Sequence, residues 1–411
     1  MPILLEEDLQ RPLPRMYRVR QQFDETCLTD IESTVRREMA KPEIRALVKP
    51  GMRIAVGVGS RGIQNLYTIV ETTVNSLKEL GAEPFIVSAM GSHGGGTEEG
   101  QREVLAGYGI TEERLGVPVV TTVDTVYLGN CANGRPVWFD RAAYEADLIV
   151  PINRVKLHTD FVGPIQSGLC KMLVIGLGNH KGCSAVHEEA PEVFADAIEE
   201  TARLILQKAP VGFGIAILES AYDKTYAVEA VPAEHLVERE KELVQIAKGN
   251  MPYIMLDEAD VIVCGAIGKD ISGAGFDPNI LGRSSVLKQF VLHIPRYQRL
   301  VLCDVTPASH GNGIGVGLFD VITKKVAEQL DLESMYANAI ACNCLGDASV
   351  PCTVDDEETA IRVALKCCRN IDRDHPRIIR IQNTLHLGEI EVSEALLDAV
   401  RADSRMSLIE N

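Results

Sequence analysis

The sequence predicts an α/β fold of two domains, each a mostly parallel sheet flanked by helices, with the active site in the cleft between them. Three observations lead there. Short β-branched runs alternate with segments of helical period, the pattern of βαβ units. Several runs end in Gly-rich loops, as in Arg53–Gly62 and Pro84–Gly96. The run Ala146-Asp147-Leu148-Ile149-Val150 is echoed by Ala259-Asp260-Val261-Ile262-Val263, as if a second α/β unit begins there.

In chain order, residues 23–48 read as a helix and Pro50-Gly51 as a turn. RIAVGVG is a strand, residues 64–81 a helix closed by Gly81, and PFIVSAM a second strand. Thr97 followed by Glu98 and Glu99 opens a helix over 97–107. VPVVTTV, PVWF and ADLIVPIN are strands. A helix over 188–208, the strand VGFGIAILE and a helix over 233–248 complete the first domain, residues 1–250. The boundary falls near Gly249-Asn250-Met251-Pro252. Residues 251–411 form the second domain. It holds the strands DVIVCG, RLVLCDV and RIIRIQNT and helices over 318–330, 355–368 and 392–401, the last expected to pack back on the first domain.

The chain has 411 residues, 46% hydrophobic and 24% charged, ordinary for a globular protein. Its net charge of −17 excludes a broad basic face for nucleic acid or anionic membrane. The acidic N-terminus after four apolar residues does not read as a signal peptide, and no run suits a membrane span, so a cytoplasmic location is expected. The 11 cysteines form no CxxC pair and are read as buried reduced thiols, including the group Cys342, Cys344, Cys352, Cys367 and Cys368.

Polar chemistry concentrates between Pro151 and His187, which holds Lys156, His158, Lys171, His180, Lys181 and His187 among small residues such as Ser167, Gly168, Gly176 and Gly178. Such a stretch suits close approach of backbone to a ligand. Arg61, His93 and His158 all follow strands, where ligands of parallel sheets sit. The letters Gly57-Val-Gly-Ser-Arg-Gly62 fit a dinucleotide loop, but the acidic residue expected after the next strand is missing. Phosphate-loop, nucleophile-elbow and HExxH patterns are absent. From residue types alone, His93, His158 and His187 suit either acid/base work or a three-histidine zinc site.

Ser60-Arg61, Gly91-Ser92-His93, His158 ahead of Ser167-Gly168-Leu169-Cys170-Lys171, and the step from Lys171 to His187 resemble the nickel-dependent lactate racemases and their 2-hydroxy-acid racemase and epimerase relatives. The likeness covers most of the chain. It implies a nickel-pincer nucleotide bound covalently through Lys171, with His187 as the nickel ligand. It implies His93 and His158 as the two acid/base histidines and Ser60 and Arg61 at the cofactor. Arg61 would also hold the substrate carboxylate, and Lys269 would reach the site from the second domain. The implied partners are a small 2-hydroxy acid, the enzymes that build the cofactor, and a second copy of the chain in a homo-oligomer.

This chain also departs from the lactate enzymes. Val58 stands where they have an acidic residue, Gly94-Gly95 follow His93 where they have Arg-Pro, and about three additional residues separate His158 from Lys171. These changes point away from lactate itself toward a larger or more polar 2-hydroxy acid. An exchange of roles between His180 and His187, or Lys181 and Lys171, stays open. Two other readings remain beside the racemase: a zinc hydrolase using His93, His158 and His187, and a non-enzymatic small-anion binding protein. The roles of His310 and Asn312, in a Gly-rich loop of the second domain, are not assigned.

Overall fold

The computed structural model describes residues 3–60 and 62–410, apart from the side chain of Ala341. Arg61 therefore lies outside the described residues. The chain divides into two compact units, Glu25–Met251 and a second one that joins the chain up to Asp24 with Pro252 onward.

In Glu25–Met251 a six-stranded sheet runs in the order Val119–Val120, Glu83–Ser88, Arg53–Val58, Leu148–Arg154, Phe213–Glu219, Thr225–Pro232. All neighbours are parallel except the last pair. Register sets Ala55 opposite Phe85 and Ile149, so strands buried on both faces read as unbroken apolar runs. The helix Leu66–Glu79 buries Leu66, Ile69, Val70, Val74 and Leu77, one stripe at helical spacing, in a core with Ile54, Val56 and Ile86. PVWF is no parallel strand: Pro136–Asp140 pairs antiparallel with Thr125–Asn130 in a separate hairpin.

The single helix expected over 23–48 is a correction. The structure has Ile31–Met39 and then a short turn Pro42–Arg45. Asp30 caps the first by accepting the Ser33 amide at 2.9 Å. Pro42 lacks the N–H that a continuing helix would use, so it starts a new turn instead.

The second unit carries an eight-stranded sheet. Cys352–Val354, Val321–Thr323, Arg299–Leu302, Val261–Cys264 and Ile378–Ile381 are parallel neighbours; Glu389–Ser393, Met16–Gln21 and Met406–Leu408 extend it antiparallel. The placement of residues 1–24 in the first domain is thus corrected. Val19 is fully buried in this sheet, and the buried Gln21 amide donates to Leu387 O at 2.8 Å and accepts from Met255 N at 2.7 Å. The helix expected over 318–330 starts only at Lys324, because the β-branched Val321-Ile322-Thr323 joins the sheet. The one expected over 392–401 is the strand Glu389–Ser393 and then the helix Leu397–Ala402, which lies in this same unit.

All 11 cysteines are free thiols. The expectation that the late group is buried fails for Cys342, Cys352 and Cys367, which are exposed; Cys344 and Cys368 are buried. Among the described residues no helix is long and apolar enough to cross a membrane.

Candidate functional site

Three adjacent parallel strands, Glu83–Ser88, Arg53–Val58 and Leu148–Arg154, end at one edge of the first unit's sheet. Their loops carry His93, Ser60 and His158 in turn, so parallel pairing alone brings these residues to one rim. The Ser60 hydroxyl bonds His93 Nδ1. That loop pair is fixed from behind. Tyr108 donates to Ser60 O at 2.9 Å, and buried Gln101 donates to Gly91 O at 3.2 Å while accepting from Ser88 Oγ at 2.6 Å. Gly91 has φ +62° and an added Cβ would stand 3.0 Å from Ile175 O, so glycine is required at this approach. His93 itself is exposed.

His158 is held on three sides. Its backbone N–H donates to Gln166 Oε1 at 2.8 Å, and its ring stacks on Phe161 at 4.3 Å between centroids. The Asp160 backbone N–H donates to its Nδ1 at 3.1 Å. A neutral imidazole carries one proton; with Nδ1 accepting, that proton sits on Nε2. Lys171 Nζ meets His158 at Nε2. The contact places the amine of Lys171, a nucleophile once deprotonated, at the edge of the His158 ring.

Lys171 lies in the turn Leu169–Lys171, which continues as a π-helical turn, Met172–Gly176. Such turns widen the backbone and cluster at functional sites. The helix Asn179–His187 follows and was not foreseen in so Gly-rich a stretch. It starts at Asn179, buried at φ +49°, whose amide donates to Asp140 Oδ2 at 2.9 Å. Burial raises the Asp140 carboxyl to about 6 against that bond and the backbone amides around it.

At the other end of the helix, His187 Nδ1 lies 2.7 Å from the Cys183 carbonyl and 3.5 Å from its thiol. Donation to the carbonyl puts the ring proton on Nδ1 and leaves the Nε2 lone pair for a metal. The Cys183 hydrogen bond, partly offset by burial, raises His187 above its usual range; the thiol's negative charge adds to this. Burial pushes Cys183 up, but His187 and Ser92 outweigh it and the thiol is lowered. A run of rings connects the two histidines: Phe161 lies 4.8 Å from Phe194, which lies 5.2 Å from His187.

Lys181, the other candidate tether, sits over the Trp138 ring at 4.8 Å, and His180 is exposed. Lys269 belongs to the other unit, where its Nζ donates to Gly273 O at 2.7 Å and its N–H to Ser309 Oγ at 2.8 Å. In that unit His310 has φ +47° and Asn312 donates to Asn338 Oδ1 at 2.9 Å. Among the described residues no three His, Cys, Asp or Glu side chains gather as a metal group. The three-histidine zinc centre is thereby corrected: the His158 ring stacks on Phe161, the His187 ring meets Phe194, and the His93 ring bonds Ser60. Gln101, Tyr108, Phe161, Phe194 and Cys183 support the site without having been singled out for it; only the helical spacing of Cys183 and His187 hinted at their contact.

The lactate racemase N-terminal domain family matches residues 12–196. That stretch of the chain is similar to the N-terminal domain of lactate racemases. Among solved structures it is similar to the lactate racemase apoprotein of Thermoanaerobacterium thermosaccharolyticum, at 12% identity and TM-score 0.54 over 90% of this chain and 99% of that one. A Thermotoga maritima protein from a structural genomics programme is 13% identical at TM-score 0.49, over 80% of this chain and 84% of its own. At such identity the first likeness speaks for the fold alone, and it agrees with the mixed, mostly parallel sheets described above. No curated relative matches the chain.

Proposed function

We propose that this chain is a racemase or epimerase that inverts C2 of a 2-hydroxy acid, with a nickel-pincer nucleotide tethered at Lys171 and nickel bound by His187. The observation that carries the reading is the Lys171–His158 contact, which sets a lysine amine beside an imidazole within the stretch that matches the lactate racemase N-terminal domain. His187 suits the metal, since its Nδ1 is committed to the Cys183 carbonyl and its Nε2 is left as a ligand. When bound, that cofactor supplies a centre that takes a hydride from C2 and returns it.

The chain's own residues handle the proton and the orientation. A base must take the hydroxyl proton from either enantiomer, which calls for one histidine per face. His93 and His158 come from separate loops and fit those two posts. Ser60 sets the ring orientation of His93, and Phe161 with the Asp160 amide sets that of His158. His158 can take the hydroxyl proton at Nε2 when its ring proton stands on Nδ1 in place of the Asp160 amide bond. Arg61 is proposed for the substrate carboxylate, bidentately.

Loading tests the reading. Protein co-expressed with the cofactor-building enzymes should carry an adduct of several hundred daltons on the Lys171 peptide and should racemise a member of a 2-hydroxy-acid panel. Loaded protein that inverts none of them would exclude the activity.

A further inference from the structure

A carboxylate seventy positions along the chain closes the turn that carries Lys171. Glu240, on the helix Leu236–Asn250, is fully buried, and its Oε2 accepts the Cys170 amide at 2.9 Å. Its other oxygen, Oε1, makes no hydrogen bond, and no ion pair to it occurs among the described residues. Residue 168 is where a helix places a local cap, yet it is glycine, with no side chain to offer. An added Cβ there would lie 2.5 Å from the Glu240 carboxyl carbon. From the other side, Asn153 Nδ2 donates to Gly168 O at 2.8 Å.

The arrangement is costly compared with an ordinary cap. A serine or aspartate at position 168 would satisfy the same amide at the surface of the turn, without placing a carboxyl in the interior away from any cation. What the distant carboxyl adds is position. It ties the first turn, and so the root of the Lys171 side chain, to a long helix of the scaffold rather than to its own loop. Met172 N–H, donating to Gly168 O at 3.0 Å, passes that anchoring into the π-helical turn.

We infer that Glu240 is the positioning residue for Lys171, aiming its amine into the site by capping the tether turn from the opposite helix. This rests on the proposed tether at Lys171. The test is loading by co-expression with the cofactor-building enzymes, read as adduct fraction by intact mass, with thermal unfolding as a control for folding. Glu240→Gln keeps an acceptor oxygen and should load within about twofold of the parent. Glu240→Leu removes the acceptor at similar volume and should lower the loaded fraction by roughly tenfold or more, the scale seen when an outer-shell partner of a ligand is removed. Should Glu240→Leu not fold, Gly168→Ala probes the same contact, because its methyl displaces the carboxyl, and it should load as poorly. Cooperatively folded Glu240→Leu or Gly168→Ala that loads like the parent would overturn the inference. Equal loss in Glu240→Gln and Glu240→Leu would overturn capping as its cause. A parent without any adduct removes the tether reading itself, and this inference with it.

Discussion

Glu240 also imposes a pH dependence on folding. Burial, only partly countered by the Cys170 and Leu169 amides, raises its carboxyl from 4.5 to about 7. Above 4.5 the unfolded chain releases this proton, whereas the folded chain keeps it up to about 7. The unfolded state therefore binds fewer protons across that window, and stability falls as pH rises through it. At ~1.4 kcal/mol per tenfold in proton affinity, the loss from pH 5 to pH 8 is about 2–3 kcal/mol. Glu240→Gln cannot ionise. Its buried amide lowers stability by an amount that does not vary with pH, so the informative quantity is the slope. Urea unfolding followed by the emission of Trp138, the single tryptophan, reports on this unit. We expect parent minus variant to fall by about 2–3 kcal/mol between pH 5 and 8; other titrations, including Asp140, cancel in the difference. Parallel curves for parent and variant would refute the buried, unpaired carboxyl.

Four further outcomes are expected. His93→Ala and His158→Ala should each lower racemisation by roughly 10²–10⁴-fold with nickel retained, whereas His187→Ala should lose nickel; metal analysis of the three loaded variants separates the roles. Ser60→Ala should remove the hydroxyl that bonds His93 Nδ1 and cost about tenfold in turnover, largely restored by Ser60→Thr, as steady-state rates will tell. Lys181→Ala should keep the adduct but change Trp138 emission, because its ammonium leaves the indole face; loss of the adduct would move the tether to Lys181. Gly91→Ala should destabilise by about 1–3 kcal/mol in the same urea assay, since it places a side chain at φ +62° against Ile175 O.

The parallel sheet was legible in the sequence because its strands are buried on both faces. VGVG, FIVS and LIVPIN are continuous apolar runs, and their order put Ser60, His93 and His158 just beyond strand ends. The half-buried antiparallel strands were not legible: Met16–Gln21 and Glu389–Ser393 alternate apolar with charged residues and pair across most of the chain's length. The helix Asn179–His187 was missed because Gly178 and Gly182 argue against one locally. Tertiary packing overrides that propensity; Gly182 lies against the Trp138 backbone, where a Cβ would come within 3.1 Å of its carbonyl. Within the site, the histidines and Lys171 stood out by residue type, but Glu240 did not. A single glutamate in an amphipathic helix reads as solvated, and only the fold shows it facing Cys170.

The measurement closest to the central claim is peptide mass analysis of loaded protein, paired with chiral analysis of a 2-hydroxy-acid panel, for the parent and Lys171→Ala. The parent should carry the adduct on the Lys171 peptide and interconvert both enantiomers of at least one acid. Lys171→Ala should fold, carry no adduct and turn over nothing. An adduct that persists in Lys171→Ala, or racemisation by protein without one, would contradict the assignment.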